Sequence, residues 1–124
     1  MSNPSKRKGS KFEVDVVNYL QTHGFPHAER RALRGVNDAG DVAGVVGWVL
    51  EVKNHAKLDI GNWSREAARE AVAGSVRRWA VIHKKRQANV SEAYVTMPLR
   101  LFAELLGDVE HFTGDYEPTT TRLA

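Results

Sequence analysis

Asp41, Glu51 and Lys53 stand in the stretch GDVAGVVGWVLEVK, residues 40–53, with the spacing D-x9-E-x-K. Side chains alternate across a strand, so Val49, Glu51 and Lys53 share one face and Trp48, Leu50 and Val52 the other. A run that is otherwise apolar on both faces marks a strand covered on both sides. A carboxylate placed there needs a cation or hydrogen-bond donors, and that partner is either Lys53 or a group outside the sequence. Gly47 divides the stretch into two strands, most simply a tight hairpin, which sets Asp41 beside Glu51. Two adjacent carboxylates repel unless a cation lies between them. Mg2+ suits that place, with Mn2+ as a substitute, because hard divalent ions take oxygen ligands and are often held by one or two carboxylates plus water. The backbone carbonyl of Val52 offers a further oxygen. Such an ion polarises a phosphodiester and generates hydroxide from bound water, while Lys53 stabilises the charge that develops. The chemistry indicated is metal-dependent hydrolysis without a covalent nucleophile.

Glu13 is the fourth candidate, able to reach the metal directly or through water. It lies in SKFEVDVVNYLQTHG, residues 10–24, which reads as a helix with Phe12, Val16, Val17 and Leu20 as its apolar stripe and Gly24 at its C-terminal end. Offsets of three, four and seven residues place Glu13 on the face of Val16, Val17 and Leu20, directed toward the sheet. SKFE is also a capping box, with Ser10 as N-cap and Glu13 reaching back, and taken alone this is the favoured role. Asp15, on the opposite face, is expected in solvent.

The elements that must position these groups follow in order. Residues 27–33 form a short strand, 34–40 a loop, 41–53 the hairpin, 62–74 a second helix with Trp63, Ala67 and Ala71 inward, and 78–85 and 92–98 two further strands. Residues 98–107 form a last helix, ended by Gly107. Its residues Leu99, Phe102, Leu105 and Leu106 read as a core face, with a dimer interface as the other possibility. The order predicts an α/β or mixed α+β sandwich, a central mixed sheet flanked by helices. Residues 1–9 are expected as a flexible basic arm, 10–107 as one domain and 108–124 as an acidic tail, in part disordered.

With 124 residues, 42% hydrophobic and 27% charged, the chain has the composition of a globular domain. Cysteine is absent, which excludes disulfides, thiolate metal sites and a cysteine nucleophile. No apolar run spans a bilayer and the N-terminus lacks a signal peptide's apolar segment, so a cytoplasmic protein without a membrane partner is expected. The net charge of +3 is unevenly spread: residues 1–107 carry +6 and residues 108–124 carry −3. Lys6, Arg7, Lys8 and Lys11, then Arg30, Arg31 and Arg34, then Lys84, Lys85 and Arg86 form basic clusters. Such clusters suit a polyanion, most often nucleic acid, through bidentate and point-charge contacts to phosphate. Of these, Lys84 shares the strand side of Ala80 and Ile82. His55, His83 and Trp63 read as a loop residue, a structural residue and a packing residue.

RKGSKFEVDVVNYLQTHGF, GDVAGVVGWVLEVK and WAVIHKK, in this order over roughly residues 7–86, resemble the archaeal-type Holliday junction resolvases of the PD-(D/E)XK nuclease superfamily, including their phage-like versions. The resemblance implies a restriction-endonuclease-like core, magnesium-dependent cleavage of branched DNA at four-way junctions, and a homodimer. By position it implies that Glu13, Asp41 and Glu51 serve the metal and Lys53 the attacking water. Gly40 stands where the family usually has proline, and the loop RALRGVNDAG lacks the family's serine. A phage-encoded chain would act in the host cytoplasm. The alternatives are another nuclease of this superfamily, acting on flaps, nicks or duplex ends, and a DNA-binding module without catalysis.

Overall fold

A strand from Trp48 to Lys53 separates two apolar layers, and its alternation decides which residue enters which. A computed structural model describes residues 4–31 and 40–112, with side chains at 7–31 and 40–108. Helix α1 (Pro4–Gln21) is followed by strands β1 (Glu29–Arg30), β2 (Val42–Ala43) and β3 (Trp48–Lys53). Helix α2 (Ile60–Ala73), strand β4 (Arg78–His83), a single 3-10 turn (Val90–Glu92), strand β5 (Tyr94–Thr96) and helix α3 (Leu99–Phe112) complete the order. Leu50 and Val52 pack with Phe12, Val16 and Val17 of α1 in one layer. Val49 packs with Trp63, Ala67 and Ala71 of α2 in the other, together with Trp79 and Val81 of β4. Each fully buried valine here contributes about 1.5–3 kcal/mol through the hydrophobic effect.

Strand β3 pairs with β4 in parallel, register Leu50 to Ala80 and Lys53 to His83. The parallel pair requires a crossover, which α2 supplies. Strand β5 adds antiparallel to β4, making a mixed three-stranded sheet in the order β3-β4-β5. Strands β1 and β2 form a separate antiparallel pair, with Glu29 opposite Ala43. The mixed α+β architecture expected from the sequence is present.

Four local expectations are corrected. The hairpin across Gly47 is not a continuous ladder: β2 pairs with β1, and among the described residues the chain just before β2 bonds β3 through Asp41 N–H to the Leu50 carbonyl at 2.8 Å. The next donor on that edge of β3, Val52 N–H, goes to the Asp41 side chain at 2.7 Å. The Asp41 carbonyl meanwhile accepts from Arg31 N–H at 2.9 Å. Second, α1 begins at Pro4, so residues 4–9 are helical rather than a loose arm. Proline suits a first helical turn and Lys and Arg are good helix formers, while Gly9 alone costs only about 1 kcal/mol. Third, that extension puts Ser10 in mid-helix, where it cannot act as N-cap, so the capping box is excluded. Fourth, α3 continues through Gly107 to Phe112, and Asp108, counted with the tail, pairs with Arg78 at 2.9 Å. Its apolar face is not core. Leu101 is fully buried, whereas Leu99, Phe102 and Leu106 are exposed, Leu99 by 79%.

Gly40 and Gly44 are required by backbone geometry. At φ +90°, a Cβ on Gly40 would lie 2.8 Å from the Leu50 carbonyl oxygen. At φ +87°, one on Gly44 would lie 2.0 Å from the His27 carbonyl oxygen. The first approach holds the segment before β2 against β3, and the second holds the end of β2 against the chain entering β1. No helix among the described residues is long and apolar enough to cross a membrane.

Candidate active site

Three segments far apart in the chain converge at one end of β3. Asp41, just before β2, is fixed by its bond from Val52 N–H. Glu13, from the middle of α1, accepts from Arg30 of β1 at 3.1 Å (Nε) and 3.0 Å (Nη2). Lys53 ends β3, and its Nζ lies 2.7 Å from Glu66 Oε1 of α2. Glu13, Asp41, Val52, Lys53, His55 and Arg86 border a cavity of about 360 Å3.

Burial is the main force on both carboxyls of this cavity. It pushes Asp41 above the ordinary carboxylate range, opposed by the Val52 hydrogen bond and by the charge of Lys53. Glu13 is pushed upward first by burial and then by the negative charge of Asp41, which together exceed the pull of Arg30. The two acids therefore repel each other across the cavity they share. A cation between them would relieve that repulsion.

The oxygens around the cavity are of the type that hard divalent ions take. Asp41 and Glu13 supply carboxylate oxygens. Within a strand a residue's N–H and C=O leave on the same edge, so the Val52 carbonyl faces the edge on which its N–H meets Asp41. An ion held there would supply Lewis acidity and an activated water.

Glu51 occupies a different place from the one expected. It does not border this cavity. Directed to the α2 side of β3 and only 3% exposed, it joins Glu66 and Glu70, with carboxylate oxygens of all three within 4.8 Å of one another. Glu66 connects the two groups, since it holds Lys53 and its charge raises the Asp41 carboxyl. Sequence reasoning missed Glu66 and Glu70. The signal was there: each follows a buried stripe residue, Trp63 and Ala67, by three positions, which places both beside the face that meets β3.

Among the expected phosphate contacts, Lys8, Lys11, Lys84 and Arg86 line a second groove beside the cavity. Arg30 is engaged by Glu13, while Arg7, Arg31 and Lys85 are exposed. Arg34 and the side chain of Lys6 lie outside the described residues. Asp15 pairs with Lys11 at 3.1 Å. Trp63 is buried, as a packing residue should be. His83 is buried too, its Nε2 2.8 Å from Thr96 Oγ1 and its ring between Trp63 and Tyr94.

The chain matches no protein-family model, no curated protein and no solved structure.

Proposed function

We propose that the protein is a metal-dependent endodeoxyribonuclease with a PD-(D/E)XK-type core, acting on branched DNA as a Holliday junction resolvase. The observation that carries this reading is the convergence of Glu13, Asp41 and Lys53 on one cavity bordered by cations. Asp41 and Glu13 would hold Mg2+ or Mn2+, with the Val52 carbonyl as a third oxygen. Asp41 is pre-positioned for this by Val52 N–H, so little reorganisation is needed when an ion or substrate arrives. Lys53, held by Glu66, presents its ammonium to the phosphate oxygen that gains charge. Glu51 lies beside Glu66 and Glu70 on the α2 side of β3, outside this cavity.

A four-way junction is nearly two-fold symmetric, and paired nicks call for two sites related by a two-fold axis. A second copy is therefore part of the proposal, and the exposed face of Leu99, Phe102 and Leu106 on α3 is the surface offered to it. Sedimentation should return a dimer mass.

The test compares a labelled four-way junction with matched duplex and flap, in Mg2+ or EDTA, for the wild type and for Asp41→Asn. Symmetric nicks confined to the junction, lost in EDTA and in the variant, are expected. Cleavage of all three substrates would keep the nuclease and remove junction selectivity. Binding without cleavage would leave a DNA-binding module.

A further inference from the structure

A second groove, about 280 Å3 in volume, opens beside the catalytic cavity between α1 and the turn that follows β4. Lys8, Asn54 and Arg86 line both, so the two adjoin across a shared wall. Lys11 and Lys84 belong to the groove alone. Four cations thus face one another, and the single carboxylate among the described residues of the lining, Asp15, is already paired with Lys11.

This wall is built rather than merely charged. Lys84 N–H extends the β3-β4 ladder by bonding the Lys53 carbonyl at 3.1 Å, so the backbone that carries this cation is fixed beside the end of β3. Its Nζ lies 3.4 Å from the Ala88 carbonyl oxygen and 5.8 Å from the centroid of the Phe12 ring. Asn54 donates to the Lys8 carbonyl at 3.3 Å, tying α1 to the end of β3. Gln87, at φ +57°, turns the chain back toward α1.

We infer that this groove seats the phosphate next to the scissile one, so that the sugar–phosphate strand leaves the Asp41 cavity between α1 and residues 84–87. The inference rests on the nuclease reading and names the path of its substrate. The grip is on charge. Phe12 is buried under the groove and offers no face for a base to stack on, and Asn54 gives one of its amide hydrogens to the Lys8 carbonyl. With four cations in its lining, the groove contributes affinity mainly through charge, as phosphate contacts do.

The test measures binding of a labelled oligonucleotide by anisotropy across a KCl series, with Ca2+ replacing Mg2+. Lys84→Met keeps the stem over Phe12 and removes the charge. Combined with Lys11→Gln, it should lower the slope of log Kd against log salt by about 1, near one unit per lost phosphate contact. Arg69→Gln, on α2, should leave the slope unchanged. In a second arm, neutral methylphosphonates replace the phosphates of the cut strand one at a time. One position beside the cut should weaken binding to the wild type and have no further effect on the double variant. An unchanged slope, or no such position, in a protein whose wild type cleaves DNA would overturn the groove alone. Binding of polyglutamate as tight as DNA would overturn the choice of a nucleic-acid strand. A wild type that neither binds nor cleaves would overturn the nuclease reading itself.

Discussion

Lys53 Nζ sits 2.7 Å from Glu66 Oε1, joining the strand that ends at the cavity to the helix that carries the second acidic group. The pair is partly open to solvent, its side chains 18% and 40% exposed, so its value for stability is at most about 1 kcal/mol. Its importance lies in where it holds the ammonium.

If the protein is the nuclease proposed above, Glu66→Gln is expected to leave the melting temperature nearly unchanged while lowering the DNA cleavage rate at saturating substrate by about tenfold to a hundredfold, the range of a small misplacement of a catalytic group. Lys53→Gln should abolish cleavage, and the double variant should be no worse than Lys53→Gln. Additive losses in single-turnover assays would show that Glu66 acts independently of Lys53.

Asp41 separates folding from function. Asn at this position can still accept from Val52 N–H, so Asp41→Asn should fold while losing cleavage by at least about a hundredfold, the scale of a lost electrostatic group. Asp41→Ala should in addition cost about 1–3 kcal/mol, because the Val52 donor is left unpaired.

The pH dependence of stability follows from the direction of the shifts. Asp41 and Glu13 are both raised, so each destabilises the folded state once it ionises. Their contribution is fully present below the ordinary carboxylate range and is lost as pH rises through their folded values. Asp41→Asn should accordingly match the wild type at the acid end and exceed it at neutral pH. Chemical denaturation of both proteins across that range checks the sign.

The same repulsion predicts a response to metal. Mn2+ or Ca2+ should raise the melting temperature of the wild type, by about 2.7 kcal/mol in free energy at a hundredfold excess over Kd. The gain should shrink in Asp41→Asn and in Glu13→Gln. Equal gains in all three proteins would place the ion elsewhere, and Glu66→Gln with Glu70→Gln would be the next pair to measure.

Gly40→Ala tests the close approach. Its Cβ would stand 2.8 Å from the Leu50 oxygen at a positive φ, so the segment must withdraw from β3. A loss of about 1–3 kcal/mol is expected, with a loss of cleavage, because the same withdrawal moves Asp41 away from Val52 N–H.

How much of this was legible depended on range. The covering of β3 on both faces could be read from WVLEVK, because apart from Glu51 and Lys53 at its end the run is apolar on both faces. The α2 stripe of Trp63, Ala67 and Ala71 was legible for the same reason, since helical periodicity is a local property. Lys84 on the side of Ala80 followed from strand alternation, and the structure sets it over Phe12. Glu13 was legible as inward-facing, but its role was not: the capping box and the inward carboxylate use the same residues. Only the helix running back to Pro4 and the arrival of Arg30 from seventeen positions away separate them.

Residue type and period by themselves determined which groups could do chemistry here and the class of fold that would carry them. The tertiary structure decided which of them meet. Asp41 and Glu51 are ten residues apart and were expected side by side. The Asp41 carboxylate takes Val52 N–H and shares its cavity with Glu13, while alternation along β3 carries Glu51 to the α2 side, beside Glu66 and Glu70. The place of Asp41 rests on one hydrogen bond and on the close approach of Gly40 to Leu50. Such contacts between separate segments have no periodicity from which they could be read.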